Sequence, residues 1–150
     1  MPIDDPLSAA HLPESYTLEP SPPTPETFVT LRNAAGMAPR SLEAVRRGLP
    51  NSLFAVRVRH EPTDEVVAMG RIVGDGGAVY QISDMAVHPD HQGRGLGTAI
   101  MARLEAFLER SAPETAYVNL IADVDGFYER FGYEETRPNS RAMYRHVGSD

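Results

Sequence analysis

The chain has no cysteine and no lysine. Without thiols, disulfide staples, thiolate nucleophiles and thiolate metal sites are excluded. Without lysine there is no Walker phosphate loop, which needs Gly-Lys followed by Ser or Thr. No apolar run approaches the roughly 18 residues of a membrane span, and the first residues carry neither the basic region nor the apolar core of an export signal. A soluble cytoplasmic protein is therefore expected, with no membrane partner. Positive charge is also scarce: 14 basic side chains stand against 21 acidic ones, for a net charge of −7, and the first arginine is Arg32. That balance argues against nucleic acid as a partner and favours a cationic acceptor. All the basic side chains are arginine, which points to genomic base composition rather than to mechanism. No Gly-x-Ser-x-Gly elbow supports serine hydrolysis. His88 and His91 flank a proline with no third ligand in view, so no metal site is expected. Asp123-Val124-Asp125-Gly126 is too short for a calcium loop.

What is present fits one domain over residues 1–150, large enough to bury about two-thirds of its unfolded surface without staples. Residues 1 to 25 hold seven prolines together with Asp4, Asp5, Glu14 and Glu19, and are expected to form an extended or mobile arm with a strand near Tyr16–Glu19. Two short helices follow, Pro25 to Ala35 and Ser41 to Gly48; Thr24 can cap the first, with Pro25 at its opening position. Strands are expected at Leu53 to Arg59, Val66 to Val73, Ala78 to Val87, Ala116 to Ala122 and Met143 to Val147, with a hairpin turn at Asp75-Gly76-Gly77. A short helix is placed near Gly126 to Phe131. The longest helix runs from Leu96 to Ser111, because Ile100, Met101, Leu104, Phe107 and Leu108 recur at helical spacing while Arg103, Glu105, Glu109 and Arg110 fall on the other side.

Just before that helix stands Gln92-Gly93-Arg94-Gly95-Leu96-Gly97. A plain turn explains one or two glycines. Three at alternate positions, opening a helix, suit a curled nest of backbone N–H donors for a phosphate. A dinucleotide fingerprint would need its first glycine directly after the strand and an acidic residue about 20 positions on. His88-Pro89-Asp90-His91 intervenes, and the downstream spacing fails.

Gln92, Gly95 and Gly97 match the acyl-CoA signature of the GCN5-related N-acetyltransferase (GNAT) superfamily: Gln or Arg, two residues, Gly, one residue, then Gly or Ala. Ile82-Ser83-Asp84-Met85-Ala86-Val87-His88-Pro89 resembles that family's fourth strand and its exit, and Phe127-Tyr128-Glu129-Arg130-Phe131-Gly132-Tyr133 resembles its late helix. The strong similarity covers residues 70–133. It implies a mixed α/β fold, a mostly antiparallel twisted sheet of about six to seven strands flanked by about four helices. It also implies acetyl-CoA as cofactor, and transfer of its acetyl group to a primary amine by direct attack.

The same resemblance assigns residues. The amides of Gly93, Arg94, Gly95, Leu96 and Gly97 take the pyrophosphate, with Thr98 adding a hydroxyl and Arg94 a charge. Backbone groups of Met85 and Val87 pair with the pantetheine arm, and an N–H at a strand bulge, from Met85 or Ala86, polarises the thioester carbonyl. Tyr128 stands near the cofactor sulfur and donates to the leaving thiolate; Phe127 and Asp123 flank the cofactor. The acceptor must lose a proton before attack, because an alkylammonium has a pKa near 10.4. Asp84 is the first candidate base and Asp123 the second; bonding to neighbouring backbone is open for Asp84, capping of the short helix for Asp123, and a core role for Tyr128. The asparagine that the family often carries before the late helix is missing. Acceptor contacts are expected from the segment Gly36 to Arg40, through Met37 and Arg40, with Phe54 and Tyr80. A small molecule is the expected acceptor; a protein N-terminus, or a non-catalytic acyl-CoA sensor, are the alternatives. A homodimer is left open.

Overall fold

A computed structural model describes residues 12–148, so the first eleven positions of the expected N-terminal arm lie outside the described residues. One compact unit ends at Leu120 and a second begins at Ile121.

In the first unit the elements are β1 (Tyr16–Glu19), α1 (Pro25–Ala34), α2 (Leu42–Gly48), β2 (Phe54–His60), β3 (Glu65–Gly74), β4 (Val79–Val87), α3 (Leu96–Ser111) and β5 (Tyr117–Asn119). The sheet order is β1-β2-β3-β4-β5. The first four strands are antiparallel neighbours, and β5 joins β4 in parallel. The mixed α/β class stands, with five strands and three α-helices among the described residues rather than six to seven and four. The segment Met143 to Val147 forms no strand: Met143, Tyr144 and Val147 are among the most exposed apolar residues. An alternating pattern makes a strand only where a partner covers one face.

Local chemistry sets the helix starts. Thr24 accepts from the Thr27 amide at 3.2 Å and Pro25 opens α1, while Ser41 accepts from the Ala44 amide at 3.1 Å to cap α2. Such caps are each worth about 1 kcal/mol. The hairpin between β3 and β4 is closed by Asp75, whose Oδ1 accepts from the amides of Gly77, Ala78 and Val79. Those bonds hold its carboxyl below the usual carboxylate value.

The sheet separates two cores. On one face Phe28, Leu31, Val45 and Leu49 pack with Met69 and Ala86. On the other lies α3, with Leu96, Ile100, Met101, Leu104 and Leu108 buried; each such side chain contributes about 1.5–3 kcal/mol by leaving water. Phe107 stacks on Phe54 at 4.7 Å between ring centres, clamping α3 to β2.

Candidate active site

The two neighbours of β4 differ in reach. β3 accompanies it along most of its length, whereas β5 pairs only with Val79, Tyr80 and Gln81. From there to Val87 the strand has no ladder partner on the β5 side among the described residues. This leaves a free main-chain edge inside the sheet.

A bulge interrupts the same stretch. Met69 pairs with Ala86 and Arg71 with Ser83, so Asp84 and Met85 both stand opposite Gly70. Asp84 takes up the extra residue with a φ of 59°. The effect on amide direction follows from the flanking bonds. Before the bulge, the Ala78 carbonyl accepts from the Tyr117 amide of β5 at 2.8 Å, which turns even-numbered positions towards β5. After it, the His88 amide donates to the Val67 carbonyl of β3 at 2.8 Å. Alternation then sends the Ala86 amide to β3 and the amides of Met85 and Val87 to the free edge. Of the two amides named as oxyanion donors, Met85 is the one left available. Gly70 makes room for this arrangement: a Cβ there would meet Ile100 Cγ2 and Met85 Sδ, each at 2.6 Å.

The glycine loop follows directly. After a 3-10 turn at Pro89–His91, the Gln92 side-chain amide donates to the Val87 carbonyl at 3.1 Å and ties the loop to the strand end. Gly93 and Gly95 adopt φ of 78° and 82°, conformations that only glycine takes without strain, and nothing lies within 4 Å of where their Cβ atoms would be. The first backbone bond of α3 runs from Ala99 to Gly95 at 3.1 Å. The amides of Leu96, Gly97 and Thr98 therefore precede the ladder and are free to serve an anion at the positive end of a 16-residue helix.

Arg94 is not loose. Its Nη1 donates to the Tyr16 hydroxyl, which in turn bonds His91 Nδ1 at 2.7 Å. The rings of His60 and His88 pack around His91 at 4.8 and 6.1 Å. Burial holds the His91 imidazole below its ordinary value, and the neighbouring charges of His60, Arg94 and His88 act in the same direction against a smaller opposing effect of Asp90. Nothing in the sequence flagged Tyr16, which lies 78 residues from the arginine it restrains.

Asp84, the first of the two candidate bases, is ion-paired: its Oδ1 accepts from Arg32 Nη1 at 2.6 Å and its Oδ2 from Arg71 Nε at 2.7 Å, with the carboxylate only 6% exposed. Neutralising it would leave two guanidinium groups without counter-charge. The ion-paired cluster fixes the bulge residue instead: Arg32 comes from α1, Arg71 from β3. Arg71 also reaches the Ser52 hydroxyl at 3.2 Å and lies over the Phe28 ring. Two lone charges in otherwise apolar strands, Arg71 and Asp84, were the signal that could have found this pair.

Tyr80 is 2% exposed, deep in the sheet's core, and Phe54 is committed to Phe107. Tyr80 therefore offers no surface to an acceptor, which corrects that expectation, whereas Phe54 is half-buried with one ring face taken by Phe107. Met37 is half-buried against the α1–α2 core. Arg40 is exposed on the loop that follows α1.

In the second unit, Tyr128 opens a 3-10 turn, Tyr128–Phe131, and is buried, with the Phe127 ring edge-on at 4.9 Å. Burial pushes its phenol above the ordinary value, and the Asp123 charge adds to this. Asp123 itself is exposed and does not cap the turn. Glu129, inside the turn, accepts from the Gly126 amide at 3.1 Å and ties the preceding loop to it.

The described residues contain no helix long and apolar enough to cross a membrane. The domain described as "Acetyltransferase (GNAT) domain" matches residues 50–135, from the start of β2 through the Tyr128 turn. A Staphylococcus aureus protein of unknown function, described as a probable acetyltransferase, is 40% identical; the match covers 87% of this chain and 98% of that one, with a TM-score of 0.83. Uncharacterized N-acetyltransferases of Pyropia yezoensis and Prochlorococcus marinus are 27% and 30% identical over 116 residues, 76% of this chain and 67% and 64% of theirs. A free β4 edge, a bulge and a glycine nest thus occur in a chain whose relatives carry the same name, and the chain belongs to the GNAT family of acetyltransferases.

Proposed function

We propose that this protein transfers the acetyl group of acetyl-CoA to the primary amine of a small molecule, in a ternary complex and in the cytoplasm. The observation that carries the reading is the continuity of three backbone features. The free edge of β4, the Met85 amide at its bulge, and the unpaired amides at the start of α3 follow one another along a single stretch of chain.

The cofactor supplies an acetyl thioester; the chain's residues bind and orient it. The amides of Gly93 to Thr98 would hold the pyrophosphate, with Arg94 fixed beside them by Tyr16. Main-chain groups of Met85 and Val87 would pair with the pantetheine arm as an added strand. The Met85 amide would donate to the carbonyl oxygen as it gains charge. Transfer would form the C–N bond and break the C–S bond, releasing the sulfur as a thiolate and a proton from the amine. We assign that proton to water, because Asp84 is held by Arg32 and Arg71. From the family resemblance we assign Tyr128 to the leaving sulfur. Its raised pKa makes a hydrogen bond to the thiolate a larger part of its role than complete proton transfer.

The test is release of free CoA thiol from acetyl-CoA across a panel of amines, with thermal stability followed in parallel. Acetyl-CoA is expected to raise the Tm, and at least one amine to release thiol. Tyr128→Phe is expected to lower turnover about tenfold or more, within the range of general acid–base effects, and to keep the Tm shift. Equal turnover in that variant would remove Tyr128 from the mechanism, and absence of a Tm shift would refute acetyl-CoA as the cofactor.

A further inference from the structure

The chain as a whole is acidic, yet one corner of the first unit is strongly cationic. Arg46, Arg47, Arg57 and Arg59 are matched by as many carboxylates, those of Glu26, Glu43, Glu19 and Asp64, with Glu19 bridging Arg57 and Arg59. At the bulge, Arg32 and Arg71 share a single carboxylate, Asp84. Arg40 adds a third guanidinium and has no carboxylate within 4.0 Å among the described residues; its one hydrogen bond there is to the neighbouring Pro39 carbonyl. The loop that bears Arg40 is clipped to Arg32. The Met37 amide donates to the Arg32 carbonyl at 2.9 Å, and Arg32 Nη2 donates to the Ala38 carbonyl at 2.7 Å. The charges are close enough to interact, since Arg40 and Arg71 both act to lower the Arg32 pKa, behind the larger effect of burial.

The corner is also rich in donors and poor in acceptors. Arg32 Nε is buried with no hydrogen-bond partner among the described residues. Arg71 spends Nε and Nη1 on Asp84, Ser52 and Gly48, keeps Nη2 unassigned, and is 19% exposed. Three guanidinium groups against one carboxylate leave two positive charges uncompensated. An oxyanion is the group that planar N–H forks recognise. Asp84 immediately precedes Met85 in the bulge, so this surplus borders the proposed reaction centre.

We propose that the acceptor amine also carries an anionic oxygen group, a carboxylate or a phosphate, which Arg40 and Arg71 receive while the amine is presented at the β4 bulge. The inference rests on the transferase reading above and narrows its substrate class. It adds an anionic group to the cationic acceptor expected from net charge, because the local sign at the site outweighs a diffuse surface charge that salt screens within about 8–10 Å. Arg32 is a positioning residue in this scheme: it holds Asp84 and the Arg40 loop.

The experiment compares matched amines in the thiol-release assay. 4-Aminobutyrate against butylamine isolates the carboxylate, and phosphoethanolamine against ethanolamine isolates the phosphate. The anionic member of at least one pair is expected to have a kcat/KM about tenfold or more above its neutral match, mainly through KM, as one well-placed charged contact provides. Arg40→Gln, an exposed position whose change leaves the core intact, is expected to bring that ratio towards one, and Arg71→Lys to reduce it. Added salt should shrink it as well. A neutral member equal to or better than its partner in both pairs overturns this inference and leaves the transferase reading standing. A preference untouched by Arg40→Gln overturns it too. Thiol release from none of the four, in a protein whose Tm acetyl-CoA raises, counts against the small-amine reading, and this inference falls with it.

Discussion

The glycine loop and the Arg32–Asp84–Arg71 corner lie at opposite ends of one short stretch of β4, and they are built in opposite ways. The loop works through main-chain amides and open space: Gly93 and Gly95 sit at positive φ with nothing against them. The corner works through side chains brought from α1, β3 and β4, with Arg32 separated from Asp84 by 52 residues. Local backbone shape can be exchanged for nothing but glycine, and it stays written in adjacent letters. A long-range ion pair leaves only isolated charges in apolar surroundings.

That contrast predicts which changes break which region. The largest effect belongs to the corner. Asp84→Ala leaves two guanidinium groups, one of them buried, without a counter-charge, and is expected to cost about 3–5 kcal/mol, read as a fall in Tm or in the urea midpoint. Asp84→Asn, which keeps the shape, should cost less. A ΔΔG below about 1 kcal/mol for the alanine variant, the size of an exposed pair, would show that the cluster does not hold the bulge.

A smaller effect is expected beside the loop. Tyr16→Phe removes the hydroxyl that joins Arg94 to His91, a bond worth about 1 kcal/mol. The affinity for acetyl-CoA should fall several-fold by titration calorimetry while the fold persists. An unchanged Kd would mean that Arg94 needs no restraint.

The smallest effect is a pH dependence of stability. The folded His91 binds a proton less readily than the unfolded chain, whose imidazole has a value near 6.5. Its contribution is therefore complete above about pH 6.5 and is lost as the pH falls below that towards the lowered folded value. His60, His88 and Arg94 face it with like charge, and Asp90 opposes them. Between about pH 8 and pH 5, the Tm of His91→Asn should decline less than that of the unaltered protein. An identical decline would place the relevant protonation elsewhere.

The same contrast explains what could be read from the letters. The loop, its helix, the hairpin at Asp75 and the cap at Thr24 were legible, because each depends on a few consecutive residues. So was the mixed α/β class. The bulge was expected on β4 but could not be located, since its position is fixed by Gly70 on another strand and by what packs behind it. The partners of Asp84 were not legible for the same reason: proximity to the reaction centre is a property of sequence position, while its two arginine partners are a property of the fold. Tyr80 illustrates a third limit. An aromatic residue on a strand reads equally as core or as binding surface until the helix that covers it is placed.

If the nest at the start of α3 binds acetyl-CoA, Gly95→Val is the change that should disrupt that binding. The substitution puts a β-branched side chain at a φ of 82° in open space, so it disturbs the loop and no packed neighbour. Titration calorimetry with acetyl-CoA, with circular dichroism to verify the fold, should show saturable binding to the unaltered protein. In the variant, affinity should be at least tenfold weaker, the loss that accompanies about 1.4 kcal/mol. Equal affinity in a folded variant would mean that the nest does not hold acetyl-CoA.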